Sequence, residues 1–291
     1  MLFDPLLIAF FILAAGFVFQ KKIGFDQQSA ANLLIYVTGP ALVFSSIFTK
    51  QIDLGEFATL WLAAILIMCA SWIFAVFAFR ALKYKNSGIL LPAMFMNSGY
   101  LGYPVALFAF GEIGLQKAII FDVMETILCF SIGAFLVQPH GAPIKEKLIG
   151  IAKLPLIYAI VLGIILNLAA APVPSLLVQA LALLGSATIP LALLTLGGRI
   201  ATLKIGSLKV PAAALFARFV VGGIAGFAFV KILNLQGILA SVVLLLSVMP
   251  PAVNSYLLNE KFNKDPQNSA TAVALGTIVC IIPIAFVLSM I

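Results

Sequence analysis

The sequence contains few charged residues and few of the residue types that build catalytic or metal sites. Only 9% of the 291 residues are charged, and the chain has one histidine and three cysteines. The cysteines, Cys69, Cys129 and Cys280, lie inside apolar runs without metal-ligand spacing, which is typical of packing residues. His140 is expected in a solvated loop. No nucleotide-binding motif is present either. These absences argue against an enzyme, a metal site and ATP-driven pumping, and no cofactor is expected.

Apolar residues, in contrast, make up 63% of the chain, and the mean hydropathy is +1.19. A soluble domain of this length has too little polar surface to cover that much apolar material. A membrane-spanning helix needs about 20 apolar residues. The sequence therefore predicts an all-α membrane protein with ten transmembrane helices, at 4–20, 28–48, 57–79, 88–110, 113–138, 148–170, 174–198, 207–232, 236–258 and 267–290.

The basic residues predict how these helices are oriented. The net charge is +7, and thirteen of the 17 basic residues fall in loops on one side of the predicted helices, against three on the other. Short cytoplasmic loops are rich in Lys and Arg. We therefore expect a multi-pass protein of the inner (plasma) membrane with both termini outside the cytoplasm. The lipid bilayer, and not nucleic acid, explains the positive charge.

Weak internal similarity indicates a repeat. Thr38-Gly39-Pro40 aligns with Thr188-Ile189-Pro190 at an offset of 150, and Asn97-Ser98 aligns with Asn254-Ser255 at an offset of 157. Five helices per repeat is an odd number, so the two repeats must have opposite orientations. We predict a first five-helix repeat over 1–140 and a second, inverted one over 148–291.

Helix-breaking residues lie in the middle of the fourth and ninth predicted spans. The fourth contains the run 97–104, NSGYLGYP, and the ninth contains the run 249–255, MPPAVNS. Broken backbone in lipid exposes polar groups, so a matched pair of breaks indicates a binding site, although two plain proline kinks are the alternative. Thr38 and Thr188 either line the same cavity or only accompany helix bends. The predicted substrate-binding residues are Asn97, Ser98, Gly99, Pro104, Pro250, Pro251, Asn254, Ser255, Thr38 and Thr188.

Three ionisable residues lie deep inside predicted spans. Asp122 and Glu125 share one face of the fifth span, and Arg218 lies near the middle of the eighth. Charges at this depth are functional candidates. The two acids are candidates for carrying a coupling ion. Arg218 either binds an anionic substrate or bridges to one of the acids, and the sequence leaves both readings open.

The run 97–104 in a fourth span, the run 188–194 (TIPLALL) followed by Gly197 in a seventh, and Pro250-Pro251 in a ninth resemble motifs of the auxin efflux carrier family. The resemblance covers the whole chain, and the short loop from Pro139 to Leu148 is similar to that of compact bacterial-type members. It implies the fold of bile acid:sodium symporters, with crossing helices 4 and 9. Helices 1, 2, 6 and 7 would form a scaffold, and helices 3–5 and 8–10 a transport domain.

The leading functional hypothesis is therefore a secondary carrier of small organic anions, in particular carboxylates, with an elevator-like alternating-access motion. A sodium-coupled symporter of the bile acid type is the alternative, so the coupling ion is a proton or sodium. A channel would need a continuous polar stripe along a span, whereas the polar residues here cluster at one depth. A receptor without transport and a homodimeric assembly both stay open.

Overall fold

The computed structural model of the chain describes residues 4–49, 53–138, 155–203 and 206–291. Within these ranges the fold is entirely helical and contains no strand, as predicted. His140, the loop from Pro139 to Leu148 and the predicted cytoplasmic residues Lys145, Lys147, Lys153 and Lys204 lie outside the described residues. The side chain of Pro5 also lies outside the described part of the chain.

The described ranges contain twelve longer helical segments and a 3-10 turn at Ser87–Ile89. The longer segments are α1 (Asp4–Lys22), α2 (Gln27–Phe48), α3 (Leu54–Ala81), α4 (Leu90–Met94), α5 (Ser98–Val137), α6 (Pro155–Leu168), α7 (Ser175–Thr202), α8 (Lys209–Ile232), α9 (Gly237–Ser247), α10 (Val253–Lys261), α11 (Pro266–Val279) and α12 (Ile281–Met290).

Five of these helices, α2, α3, α5, α7 and α8, are long and apolar enough to cross a membrane. The bent pair formed by α11 and α12, with an angle of 42° between the two halves, makes a sixth if it is one span. The apolar helices α6 and α9 are shorter. The chain is therefore a helical protein with several membrane-spanning segments.

The helix ends follow from local sequence. The side chains of Asp26 and Asp53 accept hydrogen bonds from the first N–H groups of α2 and α3, which satisfies donors that have no partner within the helix. Lys21 and Lys22 lie in the last turn of α1, where a positive charge stabilises the negative end of the helix dipole. Gly111 adopts φ +67° inside α5 and separates the fourth predicted span from the fifth.

The two Thr-x-Pro motifs produce irregular helical turns and not full breaks. A π-helical turn at Leu34–Thr38 precedes Pro40 in α2. In α7 the helix is irregular at Ala187, directly before Thr188. Such irregular turns are the usual response to a proline that removes one backbone hydrogen bond.

Close backbone contacts join α1 to the second half of α7. A Cβ atom on Gly16 would lie 2.2 Å from the carbonyl oxygen of Leu194, and a Cβ atom on Gly197 would lie 1.9 Å from that of Leu13. Only glycine permits this approach at either position. Helix α2 packs on α6 and on the first half of α7. Helices α1, α2, α6 and α7 thus pack together as one group.

Candidate functional site

The fourth predicted span is broken, but upstream of the glycines and proline that indicated the break. Helix α4 ends at Met94, residues 95–97 are non-helical, and α5 begins at Ser98. Gly99, Gly102 and Pro104 all lie inside the first turns of α5. Our expectation that Pro104 breaks the helix is corrected: a π-helical turn at Ser98–Gly102 directly precedes Pro104, and the helix continues through it.

The break in the ninth predicted span lies where the sequence placed it. Helix α9 ends at Ser247, α10 begins at Val253, and Pro250 and Pro251 lie between them. No side chain caps the start of α10 at Ala252. The first N–H groups of this helix have no acceptor within the helix, and the positive end of its dipole lies at the break.

The two breaks pair with each other. Met96 and Pro251 form an antiparallel backbone bridge. The N–H of Asn97 donates to the carbonyl oxygen of Pro250 at 2.7 Å, and the N–H of Ala252 donates to that of Phe95 at 2.9 Å. Each broken segment therefore satisfies backbone groups of the other, which is what non-helical backbone requires at membrane depth.

Both acids of α5 contact the fourth-span break. Glu125 Oε1 accepts a hydrogen bond from the N–H of Met96 at 2.6 Å. Asp122 accepts one hydrogen bond from Ser98 Oγ at 2.5 Å and a second from the Tyr103 hydroxyl at 2.6 Å. Glu125 is 2% exposed and Asp122 is 8% exposed. The two carboxylates are therefore buried and hold the start of α5 against its own later turns.

A cavity lies beside the paired breaks. It has a volume of about 110 Å³, so it suits a small ligand. Its wall combines the two breaks with the irregular turns of α2 and α7. Among its lining residues are Gly39, Asn97, Gly99, Tyr100, Tyr103, Asp122, Glu125, Cys129, Thr188, Ala252 and Asn254.

Four polar atoms of the cavity wall are buried without a hydrogen-bond partner among the described residues. They are Asn97 Nδ2, Glu125 Oε2, Thr188 Oγ1 and Asn254 Oδ1. A buried polar group without a partner costs about 1–3 kcal/mol. All four atoms belong to residues that line one cavity, which favours a polar ligand there.

The other predicted site residues lie behind the cavity wall. Ser255 Oγ donates to the carbonyl oxygen of Ala252 at 2.6 Å, and Ser98 Oγ is bound to Asp122. The cavity lining does not include these two serines, nor Pro104, Pro250, Pro251 and Thr38. Of the two threonines in the Thr-x-Pro motifs, only Thr188 lines the cavity. In the first motif, Gly39 lines the cavity and Thr38 does not.

Arg218 takes neither of the two positions that the sequence left open. Its guanidinium is fully buried and donates to the carbonyl oxygens of Met94, at 3.0 Å, and Ser247, at 2.8 Å. Within the described ranges, no carboxylate lies within ion-pair distance of Arg218, and Arg218 does not line the cavity. The bridge to Asp122 or Glu125, one of the two alternatives from the sequence, is not formed as a direct ion pair: the Nη groups bind backbone carbonyls at the breaks, and Nε has no hydrogen-bond partner among the described residues.

Sequence reasoning missed several residues around the site. Tyr103 binds Asp122, Tyr100 lines the cavity, and Ser71 of α3 accepts from Arg218 at 3.3 Å. Tyr100 and Tyr103 lie within the run 97–104, so their place in that run was an available signal. Nothing in the sequence pairs Ser71 with Arg218.

Within the part of the chain that the structure describes, no cluster of three or more His, Cys, Asp or Glu side chains forms a metal site.

The chain is similar to known membrane transport proteins over nearly its whole length. Residues 1–288 match the family model described as "Membrane transport protein". The chain is 28% identical to an uncharacterized transporter of Methanocaldococcus jannaschii, over 97% of this chain and 96% of that protein. It is 27% identical to an uncharacterized transporter of Methanothermobacter thermautotrophicus, over 88% of this chain and 86% of the relative. The chain therefore belongs to the membrane transport protein family, the auxin efflux carrier family, whose members are membrane transporters.

Proposed function

We propose that this protein is a secondary-active transporter of small organic carboxylates, which bind in the cavity beside the two broken helices. The observation that carries the proposal is the set of four unpartnered buried atoms on Asn97, Glu125, Thr188 and Asn254. A ligand carboxylate can accept from Asn97 Nδ2 and Thr188 Oγ1. In contrast, Glu125 Oε2 and Asn254 Oδ1 are acceptors and need a donor, such as a ligand hydroxyl or a proton on Glu125.

A carboxylate fits this set because of the donors that face it. Asn97 Nδ2 is a free donor, and Thr188 supplies a hydroxyl. The start of α10, which no side chain caps, supplies backbone N–H groups and the positive end of a helix dipole. Transporters with broken helices direct such half-helix N-termini at the anionic groups of their substrates.

The two acids support a proton as the coupling ion. A substrate anion beside Asp122 and Glu125 would bring like charges together in a buried site, which disfavours the charged form of one group. Glu125 Oε2 is the acidic oxygen without a partner, whereas both oxygens of Asp122 accept hydroxyl hydrogen bonds. In this proposal Glu125 takes up a proton when the substrate binds and then donates a hydrogen bond to it.

The ten-helix architecture with two inverted five-helix repeats is part of the proposal. Matching irregularities support it: the Thr-x-Pro turns in α2 and α7, the two breaks, and a π-helical turn at Cys129–Gly133 that corresponds to the bend at Cys280. The reciprocal hydrogen bonds between the breaks are those expected of two segments related by a two-fold axis. The proposed repeats are residues 1–140 and 148–291.

An elevator-like motion would move predicted spans 3–5 and 8–10, which are α3–α5 and α8–α12, against a scaffold of spans 1, 2, 6 and 7, which are α1, α2, α6 and α7. Glycine contacts between α1 and α7 support the scaffold as one rigid group. A second cavity lies between the same two groups of helices, lined by Leu42, Thr49, Phe108, Glu112 and Ser186 among others. Two cavities along one boundary are consistent with alternating access from the two sides of the membrane.

Localisation to the inner (plasma) membrane with both termini extracytoplasmic completes the proposal. In this orientation, the start of α2 and the end of α5 face the cytoplasm. The cavity beside the breaks is lined by Leu34, Phe130 and Leu156, which lie toward that side. We therefore infer that the site opens to the cytoplasm in this conformation. A homodimer stays a prediction.

A ligand-stabilisation screen on the purified protein tests the proposal. Small mono- and dicarboxylates are tested at two pH values for the shift that they cause in the unfolding temperature. Uncharged amides and alcohols of the same size are the controls. Binding to the folded state raises apparent stability as ligand exceeds its dissociation constant. The proposal requires stabilisation by at least one carboxylate and not by its amide, followed by uptake of that carboxylate into proteoliposomes.

A further inference from the structure

Arg218 connects the C-terminal ends of both broken helices. Met94 is the last residue of α4 and Ser247 is the last residue of α9. The Arg218 guanidinium binds the carbonyl oxygen of each, and through Nη1 also Ser71 Oγ. One positive charge therefore serves two helix ends that come from different halves of the chain.

A cation is expected at this place. The last carbonyl groups of a helix have no partner within it and carry partial negative charge. In transporters with broken helices, half-helix C-terminal ends and unwound carbonyls are where Na⁺ binds. Here those oxygens are occupied by a guanidinium, which keeps its charge at any physiological pH.

The surroundings of Arg218 are shaped to hold the side chain there. A π-helical turn at Ala217–Val221 places Arg218 within α8, and such turns often mark functional positions. A Cβ atom on Gly222 would lie 2.1 Å from Nη2 of Arg218, so a glycine is needed where the guanidinium folds back along its own helix. The side chain is fully buried.

We propose that Arg218 is a tethered cation that takes the place of a coupling sodium ion at the crossing of the two broken helices. This inference rests on the proposed transport function and decides between the two coupling ions, proton and sodium, that the sequence left open. With the cation built into the chain, no sodium ion enters or leaves the crossing during transport. The protein then moves its carboxylate without sodium, and the proton on the α5 carboxylates is the remaining route for coupling.

Truncating Arg218 should expose the carbonyl oxygens to a free cation. We expect Arg218→Ala to lower the unfolding temperature, and millimolar guanidinium or Na⁺, but not choline, to restore part of it with a saturable dependence. Arg80→Ala removes an exposed arginine from the end of α3 and serves as the matched control. It should show no such cation dependence.

The sodium dependence of carboxylate affinity distinguishes the tethered cation from a merely structural role of Arg218. A structural role would not make the affinity of Arg218→Ala depend on sodium. In the wild-type protein, the dissociation constant should be equal in Na⁺ and in choline. In Arg218→Ala it should be at least roughly fivefold lower in Na⁺, the lower end of typical coupling between sites. Arg218→Lys keeps the charge on a smaller group, and it should remain sodium-independent with weaker binding.

The experiment separates failure of this inference from failure of the proposed function. Sodium-dependent carboxylate binding by the wild type would overturn the tethered cation while leaving the transporter intact, and this holds even if Arg218→Ala does not fold. Absence of any carboxylate binding would overturn the proposed function, and the cation dependence of the unfolding temperature would still test the site. An Arg218→Ala protein that folds but ignores every cation contradicts the inference.

Discussion

The backbone N–H of Asn97 donates a 2.7 Å hydrogen bond to the carbonyl oxygen of Pro250, 153 residues further along the chain. This bond and its counterpart between Ala252 and Phe95 hold the two broken helices together at their breaks. With its main chain fixed there, Asn97 accepts through Oδ1 from the N–H of Tyr100 and leaves Nδ2 free. The crossing thus positions the donor that we assign to the substrate.

Gly99→Ala should fill part of the cavity without unfolding the protein. The added Cβ atom would lie 3.4 Å from Asp122 Oδ2, an ordinary contact. Overpacking of a fitted site costs about 1–3 kcal/mol, so carboxylate affinity should fall by roughly five- to 100-fold. Gly223→Ala, whose Cβ would lie 3.1 Å from Val248 Cγ1, is the control away from the cavity. Equal affinity in both variants, with both folded, would show that Gly99 does not face the ligand.

Glu125→Gln should make transport insensitive to pH. The glutamine keeps an oxygen to accept from the N–H of Met96, but it cannot bind or release a proton. Asp122→Asn should retain the pH dependence, because the hydroxyls of Ser98 and Tyr103 already bind both oxygens of this group. Uptake measured from pH 5 to pH 8 in proteoliposomes distinguishes the two acids. Wild-type pH dependence in both variants would remove the α5 carboxylates from coupling.

The orientation of the helices can be tested with two exposed positions. Gln236 lies between α8 and α9, and Lys85 lies after α3. The distribution of basic loop residues predicts opposite sides of the membrane for them. A membrane-impermeant thiol reagent added outside intact cells should label Gln236→Cys and not Lys85→Cys. The native protein, with Cys69 and Cys129 in helices and Cys280 at the bend between α11 and α12, gives the background labelling. The opposite pattern would reverse the proposed topology.

Gly197→Ala should disrupt the contact between α1 and α7. Its Cβ atom would lie 1.9 Å from the carbonyl oxygen of Leu13 and 2.8 Å from the backbone nitrogen of Phe17. Backbone cannot yield as a side chain does, so we expect destabilisation of about 1–3 kcal/mol or more. The unfolding temperature of the detergent-solubilised variant checks this, with Gly223→Ala again as the control. An unchanged temperature would mean that α1 and α7 are not tightly joined.

The sequence indicated which two predicted spans are broken, because helix-breaking residues are unusual among apolar neighbours. Pro250 and Pro251 mark their break directly, since two successive prolines cannot continue a helix. The break at 95–97 contains neither glycine nor proline, and only pairing with the other broken segment explains it. A tertiary contact between distant residues leaves no local signal, so the position of this break was misjudged by several residues.

Arg218 illustrates the same limit. The sequence predicts that Arg218 lies deep in the eighth span, and a buried charge requires a partner. Sequence reasoning considered only charged partners, whereas the structure supplies the carbonyl oxygens of Met94 and Ser247. Every residue carries such a carbonyl, so backbone partners cannot be read from residue identity. The glycine at 222 that makes room for the guanidinium is likewise meaningful only in three dimensions.

The central claim is that an organic carboxylate binds at the crossing of the broken helices, and affinity measured on asparagine variants tests it most directly. Both asparagines line the cavity: Asn97→Ala removes the unpartnered donor Nδ2, and Asn254→Ala removes an amide whose NH2 group can donate to a carboxylate. A hydrogen bond to a charged group contributes about 1.5–3 kcal/mol, so each variant should bind the carboxylate roughly 10- to 100-fold more weakly. Asn32→Ala, on the exposed face of α2, should bind it as the wild type does. Wild-type affinity in both cavity variants would contradict the claim and place the site elsewhere.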